Sequence, residues 1–289
     1  MLADVIKNCI LAHNWNIYDV AVMTDAGIET AQCRVANAAN DGFSTAKLFT
    51  DTAVAVLWDR GEIDLDAPLT TLLGDEIDFD YDPAWDQVTL RHALSHKMGI
   101  DRGVLDVDVH DTNAIGTDDY LRYMFGTAPV YEPGTVFQYS DVAHYLVSRA
   151  VAKHTGRKID EILRAEIFPY MAFHPVAFRC CPKGYPLGAT GMYMTTEDLV
   201  KLPWLYLNRG VYGGRRLISE AWVEKTERER FDWNPQGETG FWGKGGMNGQ
   251  NMLAHAEKRI AVAWHGCLAG CRDDYNGIIM RAVIEAANG

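Results

Sequence analysis

Apolar side chains recur at Leu2, Val5, Ile6, Cys9, Ile10 and Leu11, a spacing near 3.6 residues that predicts a surface helix over 2–14 with one buried stripe. Two strand-like runs follow, 17–22 and 29–35, on either side of the turn signal Asp25-Ala26-Gly27, and together they predict an antiparallel hairpin. From 44 to 58 apolar residues occupy every face of a helical pattern, so this helix belongs inside the core, with Gly61 as its stop. Pro68, Pro83, Gly99, Pro129, Pro133-Gly134, Gly156 and Pro169 then cut the chain into shorter helical stretches, at 89–97, 118–125, 140–154 and 158–167. Thr195-Thr196-Glu197-Asp198 gives a cap and an acidic first turn to a helix over 199–207. Near the end, runs at 251–256 and 259–265 flank Glu257-Lys258 as a second hairpin, and 273–287 supplies a final helix.

Helix and hairpin at one end are thus matched by hairpin and helix at the other. The economical architecture is α+β: the hairpins join in one antiparallel sheet flanked by the terminal helices, with a mostly helical lobe inserted between them. The expected bounds are 1–43 with 186–289 for the sheet lobe and 44–185 for the helical lobe. At 289 residues the chain can bury a full core, and no internal repeat interrupts it.

Charge narrows the partners. The 27 Lys and Arg against 39 Asp and Glu leave a net charge of −12, which repels phosphate backbones and anionic lipid, so neither nucleic acid nor a membrane surface is expected. The longest apolar run, Ala53-Val54-Ala55-Val56-Leu57-Trp58, stops at Asp59-Arg60, far short of a membrane span. Met1-Leu2-Ala3-Asp4-Val5-Ile6-Lys7 carries an acid and a base within its apolar run, unlike a signal peptide, and the expected location is cytoplasmic, or periplasmic or extracellular if a leader was removed. Six irregularly spaced cysteines suggest reduced thiols.

Three groups of residues suit chemistry. Ser44-Thr45-Ala46-Lys47 places a hydroxyl and an amine three residues apart on one helix face. Burial can lower the pKa of such a lysine until it serves as the base that activates the serine, while the N–H at the helix start aims at a developing oxyanion. The plain alternative is an N-cap serine and a solvated lysine. In Tyr139-Ser140-Asp141 the phenol can relay protons, against the alternative of a helix cap beside a packed tyrosine. Gly243-Lys244-Gly245-Gly246-Met247, just before a strand, offers a cation for a substrate carboxylate and glycines that let a substrate lie close, or is simply a glycine-rich loop.

Other features are weaker. His92 and His96 stand four apart on a predicted helix, a metal-ligand spacing, but a structural role is expected. His265, Cys267 and Cys271 lack a fourth ligand and are expected to pack, and vicinal Cys180-Cys181 suit no ordinary bridge. Trp233, Phe241 and Trp242 are expected to wall the substrate cleft rather than only pack the sheet.

In order and spacing the three groups resemble the S-x-x-K, Y-x-N and K-T-G motifs of the serine β-lactamase and penicillin-binding-protein superfamily. The surrounding phrasing is similar to its class C β-lactamase and esterase branch: residues 43–50, 61–68, 88–96, Glu132-Pro133-Gly134-Thr135 and Gly188-Ala189-Thr190-Gly191-Met192. The resemblance spans nearly the whole chain and implies a β-lactamase/transpeptidase-like fold. It makes Ser44 the nucleophile, Lys47 the general base, Tyr139 the second proton-transfer group and Lys244 the residue that holds the tyrosine or a substrate anion. It also makes the N–H groups of Ser44 and Met247 the oxyanion hole. Asp141, Gly245 and Gly246 fall at substrate-binding positions, no metal or organic cofactor is required, and the expected substrate is a small ester, amide or β-lactam. Two positions depart from the pattern. Asp141 stands where the motif has Asn and should raise the pKa of the nearby lysines, and Gly245 replaces a hydroxyl residue that usually helps hold a carboxylate. These departures favour an esterase or amidase acting through acyl-Ser44, a small-ester esterase or a weak β-lactamase, with a catalytically weak penicillin-binding or ligand-sensing domain that retains the fold as the alternative.

Overall fold

The structure, a computed structural model, describes residues 1–109 and 111–288. Helix α1 (Leu2–Ala12) leads into the hairpin β1 (Ile17–Thr24) and β2 (Gly27–Gln32), where Gly27 adopts φ +122°, open only to glycine. After the short strand β3 (Asn40–Asp41), the 3-10 turn Phe43–Thr45 opens α2 (Ala46–Asp59). Next come α3 (Leu69–Leu73), α4 (Leu90–Leu94), α5 (Tyr120–Phe125), α6 (Asp141–Thr155) and α7 (Ile159–Glu166). Strands β4 (Ala177–Phe178) and β5 (Met192–Met194) join β3 in a small sheet ordered β3-β5-β4. Helices α8 (Thr196–Leu199) and α9 (Lys201–Leu207), the ribbon β6 (Val211–Tyr212) and β7 (Arg215–Arg216), and α10 (Glu220–Glu229) return the chain to the main sheet. That sheet is completed by β8 (Asn234–Pro235), β9 (Phe241–Gly245), β10 (Asn251–His255) and β11 (Ile260–Gly266), before α11 (Tyr275–Asn288) closes the fold.

The six strands run β2-β1-β11-β10-β9-β8, antiparallel throughout, so the two predicted hairpins do meet, along β1 and β11. Successive residues alternate between faces. Val20, Val22, Leu253, Val262 and Trp264 form one core with Ile6 and Ile10 of α1 and Ile279 and Val283 of α11. Ala21, Ala254, Ala261 and Ala263 point the other way into the larger core, and their small side chains let α8 and α9 lie close to the sheet. Helix α2 is buried from Ala46 to Leu57, as apolar residues on every face require, and it carries Lys47 and Asp51 into the interior with it.

Boundaries moved where local chemistry overrode periodicity. The helix predicted over 89–97 stops at Leu94: Thr89 and His92 form a reciprocal capping box, and His96 takes φ +55°. The helix predicted over 199–207 is instead two, because Pro203 has no N–H to continue the ladder from α8. Helix α10 matches no predicted element. Lys244 and Gly245 lie inside strand β9, not in a loop before it. Among the described residues no helix is long and apolar enough to cross a membrane.

Candidate active site

Ser44 sits in the 3-10 turn that starts α2, and the residue before it, Phe43, is held at φ +49°. For a bulky side chain that left-handed backbone costs on the order of 1–2 kcal/mol, strain that fixes where the serine points. Lys47 follows in the first turn of α2 and is fully buried. Its Nζ donates to Ser44 Oγ at 3.0 Å, to Asp141 Oδ1 at 2.6 Å and to the Ala189 carbonyl at 3.0 Å. Three acceptors use all three N–H bonds of an ammonium group. Burial disfavours that charge, but Asp141, Tyr139 and Asp232 outweigh it and hold Lys47 above the ordinary lysine value.

Tyr139 reaches the same oxygen from the other side, its Oη donating to Ser44 Oγ at 2.8 Å. Its ring lies between two cations, with Lys47 Nζ 4.8 Å and Lys244 Nζ 4.7 Å from the centroid. Lys244 comes from β9 and is paired with Asp232, a buried residue at φ +33°. The far oxygen of Asp232 meets His96 Nε2 at 3.2 Å and His144 Nε2 at 3.1 Å, and His144 Nε2 also meets Asp51 Oδ1 at 2.9 Å. A buried chain of charge therefore runs beneath the tyrosine, and the His96 ring packs on Tyr139 with centroids 4.7 Å apart.

Each member of this chain is shifted for a definable reason. Burial pushes His96 down to about 4 against the pull of Asp232, so its ring is neutral at neutral pH. Burial also pushes Asp51 up to about 6, with His144 drawing it back. Burial opposes the charge of Asp232, yet Lys244, His96 and His144 hold its carboxyl well below the usual carboxylate range. His144 is raised despite its burial by Asp51 and Asp232. His96, His144 and Asp232 place ligand atoms within 4.8 Å of one another, close enough for a metal ion. Their hydrogen bonds favour another use. The Ser140 N–H donates to His96 Nδ1 at 3.4 Å, which leaves the ring proton on Nε2 facing Asp232, where a metal would need a lone pair. His92 is turned away to cap α4, so the pair of histidines four apart does not converge.

A cleft of about 480 Å³ opens over Ser44, lined by every predicted site residue except the buried Lys47, and also by Asp106, Asp108 and Val109. A Cβ on Gly246 would lie 2.6 Å from the Gly42 carbonyl and 3.1 Å from Phe43 Cβ, so only glycine lets the segment after β9 close on the turn that holds Ser44. A Cβ on Gly245 would lie 2.9 Å from Asn251 Oδ1, so the side chain missing there is matched by close packing. Trp233, Phe241 and Trp242 do not line this cleft: Trp233 packs on Tyr206, Phe241 on His255, and Trp242 under Arg230. His265 is buried against Thr196, whereas Cys267 is exposed, so these do not pack together.

Sequence reading did not single out Asp51, His144, Asp232, Asp106 or Asp108. A signal was present for the first two. Asp51 lies four residues after Lys47, and His144 three after Asp141, in helices otherwise fit only for a core.

The Beta-lactamase family profile matches residues 36–266. Unguisins hydrolase ungD' of Aspergillus campestris is 27% identical over 217 residues, 68% of this chain and 36% of that protein. The chain spans about a third of the length of the curated relatives it matches. A putative 6-aminohexanoate-dimer hydrolase from Bacillus anthracis superposes with a TM-score of 0.81 at 16% identity, covering 96% of this chain and 80% of that one. A family VIII carboxylesterase superposes with a TM-score of 0.73 at 15% identity, covering 98% and 96%. The α+β architecture of sheet and helices is thus the β-lactamase/transpeptidase-like fold.

Proposed function

Because the chain belongs to the Beta-lactamase family, we propose that this hydrolase cleaves a small ester or amide through an acyl-Ser44 intermediate. One observation carries the reading: Ser44 Oγ lies within hydrogen-bond reach of Lys47 Nζ and of Tyr139 Oη, at the floor of an open cleft. With every N–H of Lys47 engaged, the lysine acts as a fixed cation, and the base is Tyr139 once its phenol proton has passed to solvent, with Lys47 and Lys244 flanking the ring. In acylation the phenolate takes the Ser44 proton, Oγ bonds to the substrate carbonyl carbon, and the N–H groups of Ser44 and Met247 hold the oxyanion. The bond to the leaving oxygen or nitrogen then breaks, and Tyr139 returns the proton to it. Water then gives a proton to Tyr139 as its oxygen bonds to the acyl carbon, the bond to Ser44 Oγ breaks, and Tyr139 returns the proton to Oγ as the acid leaves.

Gly245 supplies no hydroxyl for a β-lactam carboxylate, which supports esters ahead of β-lactams, and a carboxylesterase shares the fold. The Asp141 clamp on Lys47 supports a second reading, a binding or sensing domain that acylates and releases slowly. Hydrolysis of p-nitrophenyl butyrate and of a chromogenic cephalosporin, by the protein and its Ser44→Ala variant, separates the two. We expect ester turnover that falls about 10³-fold or more in Ser44→Ala, with the cephalosporin a poor substrate. Turnover surviving in Ser44→Ala rejects the mechanism, and one stoichiometric burst without turnover supports the sensor.

A further inference from the structure

Lys244 lines the Ser44 cleft, and a lysine there offers a substrate carboxylate its natural partner. Here the ammonium already has a counter-ion. Asp232 is buried behind it, pairs with it directly, and is fixed from the far side by His96 Nε2 at 3.2 Å and His144 Nε2 at 3.1 Å. His96 at φ +55° and Asp232 at φ +33° both hold backbone conformations that non-glycine residues seldom adopt, so the fold accepts strain at both ends of this contact. Neutral His96 adds no positive charge. Toward the cleft, Asp106, Asp108 and Asp141 contribute carboxylates, with Asp141 bound to Lys47 and Asp108 accepting from Thr190 Oγ1 at 2.5 Å and lying 3.5 Å from Arg179.

We propose that Asp232 is a specificity-determining residue: by holding the Lys244 ammonium it removes the anion receptor from the cleft, so that the site accepts acyl groups without a carboxylate and rejects those that carry one. This inference rests on the acyl-Ser44 reading and names its substrate class, neutral or cationic acyl groups. Asp232 acts through Lys244 and touches no reacting atom.

The test compares p-nitrophenyl esters of three acyl groups: trimethylammoniobutanoyl, its neutral tert-butyl isostere, and adipoyl, which ends in a carboxylate. At low salt the protein should turn over the neutral and cationic esters roughly tenfold or more better in kcat/KM than the adipoyl ester, with the difference carried by KM and shrinking as salt is added. Asp232→Asn keeps the shape and frees Lys244. It should narrow the neutral-to-adipoyl ratio roughly tenfold, whereas Asp51→Asn, which leaves the Lys244 pair intact, should leave that ratio in place. Loss of folded protein scales all three rates alike, so a ratio that moves is not a stability effect. An adipoyl ester equal to or better than the neutral one overturns the proposal even if Asp232→Asn does not fold. A ratio unchanged in folded Asp232→Asn overturns it as well. Ser44-dependent turnover of the neutral ester with no charge preference sinks this inference and leaves the hydrolase standing, while failure of all three esters sinks both.

Discussion

Lys47 has no N–H bond to spare, and Asp141 is the reason its positive charge stays in a fully buried site. Replacing that carboxylate removes a negative charge 2.6 Å from the ammonium and leaves two lysines beside Tyr139. For Asp141→Asn, kcat/KM for p-nitrophenyl butyrate should therefore change by roughly tenfold or more, and an unchanged value argues against electrostatic control by this pair. His265 carries a second prediction. Its Nε2 is buried without a partner, and burial pushes the ring down from 6.5 to about 4. Between those values the unfolded chain binds a proton that the folded protein refuses, so stability falls as pH falls through the window, by on the order of 3 kcal/mol for this histidine. Urea unfolding of the protein and of His265→Gln should show their stability difference shrinking by about that amount from pH 7 to pH 4, and a pH-independent difference contradicts the assignment. Ser44 and Lys47 stood out because a short motif in a helical register holds them, and Tyr139 because its motif stands directly before a helical run. Asp232 did not, since it meets His96 across 136 residues of sequence and only the finished fold joins them.

The contact of β9 with the turn that starts α2 is the element-level feature on which the site depends. Gly246 seals it, and Gly246→Ala would set a methyl group against the Gly42 carbonyl and the Gln250 side chain. We expect a loss of about 1–3 kcal/mol in stability and a fall of roughly tenfold or more in ester turnover, read by thermal melting and steady-state kinetics. Unchanged values in both would show that the two segments are free to move apart. Helix α2 and the hairpins announced themselves because burial on all faces, and apolar runs on either side of turn residues, leave strong local signals. Helix α10 did not, because only Trp222, Val223 and Thr226 are buried in a sequence otherwise rich in charge. Cap chemistry set the ends of α4, and one proline divided α8 from α9, effects that periodicity averages away.

Across the whole molecule, chain order explains where the site falls. The first and last segments build the sheet, and the residues between them add the turn before α2 with Ser44 and the segment before α6 with Tyr139, while β9 returns Lys244 to meet both. The pairing of terminal hairpins was readable because each is local, and the three motifs preserve their order across it. If the cleft disfavours anionic acyl groups as proposed, the net charge of −12 should act in the same direction on the encounter itself. The central claim is that Ser44 carries the acyl group, and intact-mass spectrometry after rapid quenching tests it most directly. Mixed with p-nitrophenyl butyrate, the protein should gain the mass of one butyryl group, located on Ser44 by peptide mapping, and lose it again as the ester is consumed. An adduct that persists in Ser44→Ala, or ester turnover with no mass gained at Ser44, contradicts the account.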